Sequence, residues 1–273
     1  MSHIHIPDGV LPWWLWLGGW ILALGLLAVA SRFAGRAESR RAVPLIGAVS
    51  ALVLVSMGTE IVPLAYHINL TVIAGVLLGP WLGAISAFIV VLMLALMGHG
   101  GITVAGLNTL VIATEMGLGW ALMRGGIRLL GRTRIRPVAA VATVVTLALT
   151  TTMLVGIVAL AGTDATARET GALDAETLEL RDPFSDGVLS IGLLGEHEGE
   201  SGEEHAAHPG EGGLSVGRFA AVVYTLGPLG WLLEALVTAA ILGYVARVRP
   251  SLVFGEAAPE DQHSHFGDEH GRH

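Results

Sequence analysis

Leu70-Thr71-Val72-Ile73-Ala74-Gly75-Val76-Leu77-Leu78-Gly79-Pro80-Trp81 is the stretch that decides how often this chain crosses a bilayer. From Leu70 to Gly79 it is apolar, yet ten helical residues rise only ~15 Å, half of a ~30 Å hydrocarbon core. Gly79-Pro80 then separates it from the next apolar run. Non-spanning backbone is tolerated at membrane depth only where protein or water shields it, so this piece reads as a short helix lining an internal cavity. Around it stand six runs of spanning length: Leu11 to Phe33, Val43 to Val62, Trp81 to Met97, Leu107 to Leu129, Pro137 to Ala161 and Val216 to Val248. The expectation is an all-α integral membrane protein of about seven transmembrane helices, one of them short.

Composition agrees. Of 273 residues 53% are hydrophobic and 14% charged, where a soluble domain carries about 25% charged residues. The formal charge of -8 conceals a basic membrane part and an acidic insert, which makes nucleic acid a poor partner. All 15 basic residues are arginine, and cytoplasmic loops collect such charge. Arg32, Arg36, Arg40 and Arg41 follow the first span, Arg124, Arg128, Arg132, Arg134 and Arg136 lie between the fifth and sixth helices, and Arg247 and Arg249 follow the last. With seven helices all three groups fall on one side, so the N-terminus is expected outside and the C-terminus in the cytoplasm, in the cell (inner) membrane. Six helices would put both termini on one side and spoil the pattern.

The chain then divides into a leader (1–10), membrane helices one to six (11–163), an acidic, histidine-containing outer loop (164–215), the last membrane helix (216–248) and a histidine-rich cytoplasmic tail (249–273). The loop holds thirteen acids against Arg168 and Arg181. It reads as a solvated segment that concentrates divalent cations weakly, and the tail, with His263, His265, His270 and His273, reads as a buffer for delivered metal. The leader has no run of Lys or Arg before an apolar core, so it does not read as a signal peptide. Cysteine is absent, which excludes thiolate sites and thiol nucleophiles and leaves histidine and backbone nitrogen for soft-metal chemistry.

The leader Met1-Ser2-His3-Ile4-His5-Ile6-Pro7-Asp8-Gly9 is the first candidate for that chemistry. An N-terminal amine, adjacent amides and a nearby imidazole form fused chelate rings, a nitrogen set suited to square-planar Ni(II) or Cu(II). With Met1 kept, Met1-Ser2-His3 fills four positions. With Met1 removed, Ser2-His3 supplies three donors and leaves the fourth to His67. Pro7-Asp8-Gly9 is a turn signature that holds the leader close to the helix mouth. The expected topology brings the leader, Pro63 to His67 and Gly98-His99-Gly100-Gly101 to one outer face.

His5-Ile6-Pro7-Asp8-Gly9-Val10-Leu11-Pro12 resembles the opening of the CbiM/NikM family, the substrate-binding membrane components of energy-coupling-factor cobalt and nickel transporters. The likeness continues through Val43-Pro44-Leu45-Ile46-Gly47, Val62-Pro63 with His67, Leu77-Leu78-Gly79-Pro80-Trp81, and His99-Gly100-Gly101-Ile102-Thr103 leading to Asn108-Thr109. The resemblance implies that Co(II) or Ni(II) is a transported ion held by the N-terminal amine, the amide and imidazole of an adjacent histidine, and a later histidine matching His67. The family histidine directly follows the initiator methionine, whereas four residues precede His5. Either His5 binds by imidazole alone, or the amine of processed Ser2 with His3 forms the chelate and His5 supports it; the second arrangement is the one adopted. His99 takes an entrance role, and Asn108 either orients a ligand or packs helices.

The resemblance further implies a transmembrane coupling protein, cytoplasmic ATPase subunits of an energy-coupling-factor complex and a small accessory membrane protein, all in membrane lipid. The chain has no lysine and no phosphate-binding loop, so it is not the ATPase, and it is expected to be a transport subunit rather than an enzyme. Two rivals stand beside this reading. A metal channel or secondary carrier would work without ATPases, and a membrane-embedded metallohydrolase would need a general base in a pattern such as His-Glu-x-x-His, which does not occur. Glu60, Glu115 and Glu234 are ionisable residues within or beside apolar runs, where such groups point to function; Glu115 is expected to pair with a neighbour inside the bundle. Gly75 and Gly79 have the Gly-x-x-x-Gly spacing that serves internal packing and partner docking alike.

Overall fold

The computed structural model describes residues 11–34, 39–58, 60–61, 66–98, 101–162 and 216–254. These form α1 (Trp13–Ala34), α2 (Ser39–Gly58), β1 (Glu60–Ile61), β2 (Tyr66–His67), α3 (Thr71–Leu96), α4 (Ala105–Leu130), a 3-10 turn (Arg132–Arg134), α5 (Ile135–Ala161), α6 (Val216–Val248) and α7 (Pro250–Phe254). Four helices, α1, α3, α5 and α6, are long and apolar enough to cross a membrane, and the apolar part of α2, Val43–Gly58, is shorter. α4 has the length, 26 residues, but dilutes its apolar side chains with Asn108, Thr109, Glu115 and several glycines.

Two boundaries differ from the sequence expectation. α2 stops at Gly58 rather than Val62, and the chain beyond it pairs as a minimal antiparallel hairpin with Glu60 opposite His67 and Ile61 opposite Tyr66. The apolar pair Ile61-Val62 extends the hydropathy signal past the true helix end. At the other end of the chain, the tail expected from residue 249 begins as α7, whose Val253 is buried against the main core.

α3 is the innermost element. Every residue from Thr71 to Val76 is buried, as is Leu78. The expected break is present, although the short helix and the following span form one element around it. Gly79 has φ 74° and ψ 178°, a conformation essentially restricted to glycine, and Pro80 after it lacks the N–H that would continue the ladder. Gly75 and Gly83 both abut Met116 of α4. Eight residues of straight helix would separate them by ~12 Å, so the break bends α3 around Met116. Gly75 lies so close to the Met116 backbone that a Cβ there would overlap its carbonyl oxygen, which assigns this glycine to internal packing.

Aromatic and hydroxyl contacts fix the remaining neighbours. Phe33 stacks on Trp81 at 4.8 Å and Trp20 meets Phe88 edge-on at 6.3 Å, joining α1 to α3. Ser50 and Ser86 hydroxyls meet at 2.7 Å between α2 and α3, and Thr152 meets the Tyr224 hydroxyl at 2.6 Å between α5 and α6. Outward-facing Ile21, Leu22, Val141, Leu229 and Leu236 are exposed, as befits a bundle whose surrounding solvent is hydrocarbon.

Candidate metal centre

Leu11, the first described residue after the leader, is buried with Val104 and Leu107 at the start of α4 and with Leu154, Ile157, Val158 and Ala161 near the end of α5. The leader therefore joins the fold at the end of the bundle where α4 begins and α5 finishes. α1 also begins there and α2 ends there, which delivers the β1–β2 hairpin to the same end. His67 occupies β2, two residues before Asn69.

Asn69 is 2% exposed and Glu115 is fully buried. The Asn69 carboxamide serves both neighbours. Its Oδ1 accepts the Thr71 backbone N–H at 2.9 Å, satisfying one of the donors that a helix start leaves without an intrahelical partner. Its Nδ2 donates to Oε1 of Glu115. A backbone N–H needs an acceptor and a carboxylate oxygen needs a donor, so chemistry alone orients this amide. Glu115 is thus paired inside the bundle, as expected, and its partner is the residue through which β2 enters α3.

Of the residues singled out from sequence, Ser2, His3, His5 and His99 lie outside the described residues. Asn108 is buried one turn into α4, its backbone N–H donating to the Val104 carbonyl at 3.0 Å. Seven residues separate it from Glu115, so the two share a face of α4 about two turns apart. Glu60 lies in β1, opposite His67. Glu234 is buried in α6, far in sequence from the hairpin. Among the described residues no three His, Asp or Glu side chains stand together as a metal site would require. The residue that sequence reasoning missed is Asn69; its only signal was a polar side chain immediately before an otherwise apolar helix.

A model of the CbiM family, described as the cobalt uptake substrate-specific transmembrane region, matches residues 5–252. The chain belongs to the CbiM family. The CbiM match runs from His5 at the leader into α7, well past Asn108-Thr109, the last motif of the likeness read from sequence. Two solved structures share the fold of this CbiM chain. One is a transition metal transporter, 20% identical with a TM-score of 0.59, covering 89% of this chain and 93% of that one. The other is a truncated transition metal transporter, 19% identical with a TM-score of 0.57, covering 89% and 99%. At these identities the likeness is one of fold. A comparison with curated proteins gives no match. Membership makes the chain a multi-pass membrane component of metal uptake.

Proposed function

We propose that this chain is the substrate-specific metal-binding subunit of an ATP-driven importer of cobalt and/or nickel ions. It takes Co(II) or Ni(II) on the outer face through Ser2, His3 and His5 of the leader together with His67. The observation that carries this reading is the family match across residues 5–252, which includes the leader from His5 onward, the hairpin, α1 to α6 and the start of α7. The burial of Leu11 beside the first turn of α4 supports it, because it starts the leader at the end of the bundle that the hairpin also reaches. The donor set is an amine, an amide and imidazoles, nitrogen ligands of the kind late first-row divalent ions favour.

Energy for inward release comes from cytoplasmic ATPase subunits acting through a transmembrane coupling protein, with a small accessory membrane protein beside them. The arginines of the α4–α5 connection and of the α6 end face the cytoplasm in this arrangement. His99 stands at the entrance, and Asn108 steadies a ligand from α4.

The test is accumulation of radiolabelled nickel and cobalt in cells carrying the complete transporter. Uptake should require both an intact ATPase and His67, and the His67→Ala variant should lose high-affinity binding of either ion. N-terminal mass spectrometry with metal titration of His3→Ala and His5→Ala variants assigns the principal imidazole. Uptake that persists with hydrolysis-dead ATPases would replace this reading with a channel or secondary carrier.

A further inference from the structure

The buried pair Asn69–Glu115 sits where the histidine-bearing hairpin passes into the bundle interior at the start of α3. Its burial is costly. A carboxylate and a carboxamide removed from water each lose hydration that only well-made hydrogen bonds restore, and an apolar pair of similar volume would fill the same space in a helix bundle without that cost. Yet the arrangement is directional: Oε1 of Glu115 on α4 accepts from Asn69 Nδ2, and Asn69 Oδ1 accepts from Thr71 N at the start of α3.

Two consequences follow from the geometry. The amide sets where the chain leaves β2, because one end of the carboxamide is bonded to α4 and the other to α3. Only Ile68 separates Asn69 from His67, so a shift of Asn69 moves the strand that carries the imidazole. Glu115 also lies next to Met116 of α4, which Gly75 and Gly83 of α3 both touch. The anchor point is therefore rigid on the bundle side.

We infer that Glu115 and Asn69 are positioning residues for the metal site, holding the backbone of β2 at the height and rotation at which His67 meets the ion. This rests on the proposed function, since it takes His67 to be a ligand. It adds a residue deep in α4 that contacts no metal yet sets its affinity. Partners that orient a ligand through hydrogen bonds commonly change metal affinity by ~10–100-fold when removed.

The test uses the full-length protein in nanodiscs, with Ni(II) and Co(II) as the probes, and reads both the dissociation constant and the visible absorption spectrum of the bound ion on the folded, monodisperse fraction. Asn69→Ala should weaken binding by at least ~10-fold and alter the spectrum. Asn69→Asp should do the same, because it sets two carboxylates against each other in a dry site. Glu115→Gln keeps an acceptor for Nδ2. The double variant Asn69→Asp with Glu115→Gln restores a donor opposite an acceptor with the roles exchanged; both should return affinity to within about threefold of wild type, well inside the ~10-fold loss of a missing partner.

A pair that merely stabilised the bundle would leave affinity and spectrum of the folded fraction unchanged in Asn69→Ala and Asn69→Asp, and that result overturns the inference. So does a double variant no better than Asn69→Asp. Where one of the two Asn69 variants does not fold, the other decides, with weakened binding supporting the inference and wild-type binding overturning it. His67→Ala separates the two levels: full-affinity binding there removes the proposed site and this inference together, while loss in His67→Ala with unaffected Asn69 variants removes this inference alone.

Discussion

Trp20 donates its indole N–H to the carbonyl of Thr103 at 2.8 Å, tying the middle of α1 to the turn that leads into α4. One turn further along, Gly106 comes so near that a Cβ on it would stand 2.6 Å from the Trp20 Cα. The bond and the close approach need each other, because the indole reaches the turn only when the two backbones are in contact.

Trp20→Phe keeps an aromatic ring in the α1–α3 packing and removes only the donor. The expected loss is about 1 kcal/mol, read as a lower melting temperature in detergent. Gly106→Ala forces the two helices apart and should cost ~1–3 kcal/mol. An unchanged melting temperature in Gly106→Ala would contradict the close approach.

Glycine substitutions along α3 should be ranked by what they meet. A Cβ at Gly75 overlaps backbone of α4, which cannot rotate away, whereas one at Gly83 stands 3.4 Å from the Met116 side chain. Gly75→Ala should therefore be the most damaging and Gly83→Ala the mildest. Gly79→Ala meets only the Trp120 indole nitrogen, at an ordinary contact distance of 3.8 Å, but holds a backbone that other residues rarely adopt, at about 1–3 kcal/mol. Thermal unfolding of the three variants checks the order; equal effects at Gly75 and Gly83 would contradict it.

Arg132 lies over the Phe254 ring at 5.0 Å, so the turn between α4 and α5 clasps α7. Phe254→Ala removes the ring, and a cation–π contact of this kind contributes about 0.5–1 kcal/mol. With buried Val253 as its remaining anchor, α7 should loosen, and trypsin should cut after Arg247 sooner than in the wild type. Cleavage at an unchanged rate would show that the clasp holds nothing.

The hydroxyl pair Thr152–Tyr224 bridges α5 and α6. Tyr224→Phe with Thr152→Val completes a double-mutant cycle, and hydrogen bonds between membrane helices average ~0.6 kcal/mol in such cycles. A coupling energy indistinguishable from zero would assign the pairing of these helices to apolar packing alone.

Hydropathy was sufficient for most of the helices because each is a continuous apolar run, and the Gly79-Pro80 break was legible because both residues act locally on the backbone. The hairpin was not legible. Ile61 and Val62 are as apolar as the helix before them, and only the pairing of Glu60 with His67 distinguishes strand from helix there. Asn69 and Glu115 were individually visible as polar residues, but 46 positions separate them, and no periodicity links residues on different elements. α7 was hidden for a different reason. The five residues Pro250–Phe254 are too short for any pattern, and their order comes from Arg132 above and Val253 below.

α6 runs for 33 residues, about 50 Å if straight, against a hydrocarbon core of ~30 Å. Pro228 lies within it, where a proline favours a kink, yet the surplus over the hydrocarbon remains several turns. Such a helix acts as a mast: at least one of its ends stands beyond the hydrocarbon, at the level of the headgroups or past them, and the chain attached there leaves the membrane from a set height.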